Sequence, residues 1–199
     1  MYRGRRRVSD RRIAALIRGG RGGFPLGARV ESTVRTLSRP QARGRECGVM
    51  IIETSRFGGI EVDDQRFLNF PKGLLGFPDD REYALIQTGE NSAFYWMQAV
   101  HRPELAFVVC DPRMFVPDYR VAIKADDLVQ IGLTDTSGSQ VFVIVNKVDE
   151  VLTGNLQGPL VLNVATRVGK QLVLSEKRFS TRHPLMRLPE ERQAITRSA

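Results

Sequence analysis

The sequence predicts a mainly β fold: a small antiparallel β-barrel-like domain with two short helices, preceded by a disordered basic N-terminal extension. Three observations carry that expectation. From Met50 onward, short apolar or β-branched runs alternate with Gly, Pro, Asp and Asn, the pattern of many short strands joined by turns. Only two stretches carry helix-start signals. Residues 1–49 differ abruptly from the rest, with 13 Arg, no Lys, eight Gly and three acids. The organisation expected is therefore an extension over 1–49, a β body over 50–175 and a charged C-terminal extension over 176–199.

Taken in order, residues 1–49 hold too few apolar side chains to offset the entropy of ordering them. Val8, Ile13, Leu16 and Ile17 would line one side of a helix too short to persist alone in water. Met50 then reads as a biological start, with the Arg-only leader as upstream sequence. Strands follow at 50–55, 58–63 and 66–70, with Gly58-Gly59 and Pro71-Lys72-Gly73 at the turns. After Pro78, Asp79 and Asp80 can cap free amides, so a short helix is expected there. Strands at 83–88, 93–100, 105–110 and 119–124 come next, followed by a helix over Ala125–Ile131 with Asp126 and Asp127 in its first turn. The run Val141 to Val145 is apolar on both faces and predicts a central, doubly covered strand within 139–147. Thr153-Gly154 reads as a turn, with strands at 159–166 and 170–175 beyond it. Pro184 and Pro189 argue against one long terminal helix and leave 178–197 as a loose tail. A body of this length buries about two thirds of its unfolded surface and needs no staple.

The whole chain has a formal charge of +8 and a pI near 10.1, which alone would suggest a nucleic-acid partner. Divided by segment, residues 1–49 carry +10 and the remainder −2, and Met50 to Leu174 alone carry −5. RNA binding through the Arg-rich segment is thus an alternative function, and the folded domain itself is not expected to bind nucleic acid. Cys47 and Cys110 stand far apart with no CxxC, so neither a zinc site nor a disulfide framework is indicated. His101 and His183 have no Cys, Ser or acid at a catalytic spacing. The pairs Asp63/Asp64, Asp79/Asp80 and Asp126/Asp127 suit strand ends and helix caps better than acid–base catalysis. Gly19-Gly20 and Gly22-Gly23 lack the strand, Lys and helix of a phosphate loop. No catalytic set, cofactor or metal is expected. Arg18 ends the apolar run after Arg11-Arg12 too early for an export signal, and no apolar stretch approaches the ~20 residues of a membrane span, so the expected place is the cytoplasm.

Three apolar, Pro-bounded connections stand out instead. The first contains Phe70, Pro71, Leu74, Leu75 and Phe77; the second Met114, Phe115 and Tyr119; the third Asn155 and Pro159. Such groups either plug the barrel or form a surface for another protein. Protein binding through these ten residues is the expected activity.

Further stretches carry a resemblance. Phe57-Gly58 with Ile60, the Phe70-Pro71-x-Gly73-x-x-Gly76-Phe77 element, Phe107-Val108-Val109-x-Asp111-Pro112 leading to Pro117-Asp118-Tyr119, Asn155-Leu156-x-x-Pro159-Leu160-Val161-Leu162-Asn163, and Gly169-Lys170-Gln171 occur in one order and spacing. Together, from Met50 to about Pro189, the chain resembles the FliW family of flagellar assembly factors. That resemblance implies a bacterial cytoplasmic β-barrel-like protein without enzymatic activity, a monomer that binds flagellin and the translational repressor CsrA. Holding CsrA away from its message relieves repression of flagellin synthesis, and free flagellin competes for the factor. An acidic body suits a basic RNA-binding partner. Leu74, Leu75, Phe77, Met114 and Phe115 are expected to receive an amphipathic flagellin helix.

Overall fold

A computed structural model of the chain describes residues 48–87, 89 and 92–188. Residues 1–47, where disorder is expected, and 189–199 lie outside the described residues. Eleven strands are present among those described. The first two, β1 (Val49–Thr54) and β2 (Gly58–Asp63), form a separate antiparallel hairpin. Thr54 closes its turn: the hydroxyl oxygen accepts from the Phe57 N–H and the hydroxyl donates to the Gly58 carbonyl. Ile52 and Val62 point inward onto Ala84, so one face of the hairpin is sealed.

The remaining strands are β3 (Phe67–Asn69), β4 (Glu82–Ile86), β5 (Phe94–Ala99), β6 (Ala106–Cys110), β7 (Ser139–Val148), β8 (Val151–Gly154), β9 (Leu160–Asn163), β10 (Gly169–Gln171) and β11 (His183–Arg187). They form one antiparallel sheet in the order β10-β9-β7-β6-β5-β4-β3, with β8 on β7 and β11 on β8. β7 organises it. Its first four residues pair with β9, Val143 to Val145 pair with β6, and Val145 to Val148 pair with β8. The sheet curls until its ends meet at a single parallel bridge between Asn69 and Val168, where the Asn69 N–H donates to the Arg167 carbonyl. The seam between β3 and β10 is otherwise unpaired, so the barrel-like sheet is not closed by a ladder.

Alternation along β5, β6 and β7 divides two cores, as expected for strands covered on both faces. Phe94, Trp96, Val108, Cys110, Val143 and Val145 face one core with Tyr119, Leu156, Phe179 and Leu188. Met97, Val109 and Phe142 face the other with Phe70, Leu74, Tyr83, Leu160 and Leu162. The one α-helix among the described residues, α1 (Ala125–Gln130), buries Leu128, and Ile131 beyond it packs with Val161 and Leu172. Buried Asn163 fixes this end: its amide donates to the carbonyls of Ile131 and Gly132, and its oxygen accepts from the N–H groups of Ala165 and Thr166.

The structure departs from the sequence expectation at five places. No helix forms at Asp79, because Asp80 pairs with Arg102 and the chain turns directly into β4. Residues 119–124 place Tyr119, Val121 and Ile123 on the covered side but have no strand partner among the described residues. Thr153-Gly154 ends a strand instead of making a turn. The expected strands at 159–166 and 170–175 shorten to β9 and β10. Residues 178–188 are no loose tail: β11 pairs with β8, and Phe179 and Leu188 are buried in the first core.

Candidate interaction surface

The Phe70–Pro78 loop is built around two glycines. Gly73 has φ +64°, and a Cβ there would lie 2.4 Å from the Phe77 carbonyl oxygen. Only glycine fits that approach. Leu74 and Phe77 then exchange two backbone hydrogen bonds across a tight turn whose tip is Leu75-Gly76, Gly76 taking φ +84°. Phe70 and Leu74 are buried, with the Phe70 ring edge-on to Tyr83 at 5.8 Å. Phe77 is half-buried, edge-on to Phe107 at 5.1 Å, with the Arg102 guanidinium 5.9 Å from its centroid. The loop therefore plugs the second core and leaves Pro71 and Leu75 outside; Leu75 is 64% exposed.

Gln171 holds that tip in place. Its side-chain oxygen accepts from the Leu75 N–H at 2.8 Å, and its amide donates to the Gly158 carbonyl at 3.3 Å. Gly158 closes the third connection, donating its N–H to the half-buried Asn155 side chain, while Pro159 is fully buried. One glutamine thus ties the first and third loops into a single surface. Beside it, Lys72 and Lys170 both donate to the Gln130 side chain, at 2.9 and 3.0 Å, and Lys170 also pairs with Asp127 at 2.5 Å. These bonds fasten α1 to the same end of the sheet.

The second connection stands apart. The first loop enters β4, where Tyr83 pairs with Ala99 at the end of β5; the second leaves Cys110, which pairs with Phe94 at the beginning of β5. They sit at opposite ends of the β5–β6 hairpin. Asp111 accepts the Arg113 N–H, a two-point contact from the Arg113 guanidinium, and the Gln140 amide. Burial alone would raise the Asp111 carboxyl, but these hydrogen bonds and the Arg113 charge hold it below its usual range. Phe115 stacks on Phe94 at 5.3 Å. Tyr119 is buried, its hydroxyl donating to the Leu156 carbonyl at 2.8 Å, and burial pushes the phenol pKa up. Of the three expected contact residues here, Met114, Phe115 and Tyr119, only Met114, 60% exposed, projects into solvent.

The ten expected binding residues accordingly do not form one groove. Phe70, Leu74, Tyr119 and Pro159 are core residues, Phe77, Phe115 and Asn155 are half-buried, and Pro71, Leu75 and Met114 are exposed. The expectation that Leu74, Leu75, Phe77, Met114 and Phe115 share a face is corrected, because strand register separates the two loops. Gln171, the residue joining Leu75 to Asn155, lay outside the expected set. Its signal was the Gly169-Lys170-Gln171 stretch, which carried the family resemblance and forms β10. Among the described residues no group of three or more His, Cys, Asp or Glu could hold a metal ion, and no helix is long and apolar enough to cross a membrane.

Comparison with known proteins agrees with this architecture. A family model described as FliW protein matches residues 51–185. A flagellar assembly factor FliW from Leptospira biflexa is 39% identical over 143 residues, covering 70% of this chain and 94% of the relative. Those of Natranaerobius thermophilus and Bdellovibrio bacteriovorus are each 34% identical, over 139 and 145 residues, covering 68% and 72% of this chain and 92% and 83% of theirs. A crystal structure of the flagellar assembly factor FliW superposes with a TM-score of 0.63 at 32% identity, covering 71% of this chain and 99% of that one.

Proposed function

The chain belongs to the FliW family of flagellar assembly factors, and from that premise we propose that it acts by partner exchange, binding flagellin and the translational repressor CsrA without catalysing a reaction. It works as a monomer in the cytoplasm. Flagellin awaiting export occupies the protein and leaves CsrA free to repress; export of flagellin frees the protein to hold CsrA and lift repression.

The observation that carries this reading is the Leu75 tip. The loop spends its other large apolar groups on the core, yet two glycines and Gln171 hold one leucine out in solvent. An isolated exposed leucine stabilises nothing in the free fold, whereas burying it under an amphipathic helix is worth about 1.5–3 kcal/mol. Pro71 and Asn155 flank it, and Met114 is a separate contact point. The acidic body steers a basic partner such as CsrA and repels RNA.

Calorimetric titration of flagellin into the full chain and its Leu75→Ser variant tests the assignment. Flagellin affinity should fall about tenfold or more, the loss expected when ~1.4 kcal/mol or more of contact is removed, with the melting temperature unchanged. Full affinity in the folded variant defeats it. CsrA association should slow as salt rises, since steering by exposed charge is screened.

A further inference from the structure

The β1–β2 hairpin has an unusual outer face. Register places Val49, Ile51 and Glu53 opposite Asp63, Glu61 and Gly59, and this set alternates away from the buried Ile52 and Val62. Val49 and Ile51 are 61% and 67% exposed. Glu53 and Glu61 are exposed on either side. Among the described residues, neither of these two carboxylates has an ion pair, and neither strand of the hairpin carries a Lys or Arg. β1 also pairs on one edge only among the described residues. The surface is an apolar strip bordered by Glu53 and Glu61.

Translated from Met1 rather than from Met50, the same chain carries the matching chemistry. Residues 3–18 hold seven Arg and one acid, with Val8, Ile13, Leu16 and Ile17 among them. We propose that this Arg-rich segment docks on the outer face of the β1–β2 hairpin, apolar side chains on Val49 and Ile51 and guanidinium groups on Glu53 and Glu61. Reach and charge both favour it. The 29 residues from Gly19 to Cys47 are enough to reach on the order of 30 Å, more than the roughly 20 Å of the hairpin beside which they end. Tethering keeps the segment near millimolar effective concentration, enough for individually weak Arg–carboxylate contacts. The segment then covers acidic surface that a basic partner would otherwise meet, and it competes with any such partner for this face.

Paramagnetic relaxation in the full chain tests the proposal. Cys47→Ser removes one native thiol, buried Cys110 stays unlabelled, and Ser9→Cys carries a nitroxide. Broadening should concentrate on amides of 49–53 and 59–63, spare β8 and β11, and disappear near 1 M salt, where the Debye length is about 3 Å. Glu53→Lys with Glu61→Lys should abolish it while the remaining spectrum is unchanged. Uniform broadening, or broadening that survives the double substitution, overturns the proposal. So does broadening that appears only when tagged unlabelled protein is mixed with untagged isotope-labelled protein, since that outcome assigns the face to a second copy.

Discussion

Gly73 and Gly76 occupy one loop, both with positive φ, but they differ in what surrounds them. A Cβ at Gly73 would meet the Phe77 carbonyl at 2.4 Å, whereas nothing lies within 4 Å of one at Gly76. Gly76→Ala should therefore cost only the conformational strain, about 1 kcal/mol, and Gly73→Ala clearly more, in urea unfolding followed by tryptophan fluorescence. Cys110 is a second residue-scale case. Burial first, and then the neighbouring Asp111 charge, push its thiol up to about 12, so the thiolate that reacts with alkylating agents is scarcely present. Mass mapping after iodoacetamide at pH 8 should find Cys110 unmodified until denaturant is added. Asp111 titrates in the opposite sense. Its carboxyl lies below the ordinary value of about 3.9, so its contribution to stability is present above that value and is lost as pH falls through the folded-state pKa. Asp111→Asn should flatten the acid limb of the stability profile below about pH 4, as followed by thermal melts.

At the scale of elements, the segment from Glu176 to Leu188 is where structure and sequence diverge most. β11 covers the outer edge of β8, and Phe179 packs its ring 4.8 Å from Tyr119. Removing that ring opens the first core, and Phe179→Ala should cost about 3 kcal/mol in denaturant unfolding. The segment was hard to read because its buried positions, Phe179 and Leu188, stand among Arg, Lys and Pro without a period of two. β8 was missed for another reason. The β7–β8 hairpin turns at Asp149-Glu150, with Asp149 at φ +51°, and no glycine announces it. At 119–124 the alternation of Tyr119, Val121 and Ile123 correctly reported which side is covered but not whether a ladder partner exists. Periodicity reports burial; pairing depends on what the rest of the chain brings alongside. The loop candidates show the same limit. Composition marked the Phe70–Phe77 and Met114–Tyr119 stretches as unusual, while the register of β4, β5 and β6 decided that they lie at opposite ends. Long runs such as Val141 to Val145 were legible because continuous apolar character fits only a strand covered on both faces.

For the whole molecule, charge and closure are the properties that matter. A formal +8 is the sum of unlike parts: residues 1–49 carry +10 and the remainder −2. The sheet, for its part, is joined at its ends by one bridge at Asn69 and Val168. Hydrogen exchange should find the seam amides of Asn69 and Val168 opening well before those of β5, β6 and β7, as expected for local fluctuation at the least-paired place in a sheet. Equal protection of seam and centre would contradict that account. The triple pairing of β7 also bears on how the molecule reaches its native state. The Asp149-Glu150 turn makes the β7–β8 ladder the cheapest to close, the β6–β7 ladder must wait for the long connection from Asp111 to Gly138, and the Asn69–Val168 bridge joins residues about a hundred positions apart. Refolding kinetics should then give high φ-values for substitutions at Val145 and Leu152 and values near zero at Val168, so that the strand holding three partners in the finished sheet is also the nucleus on which the others condense.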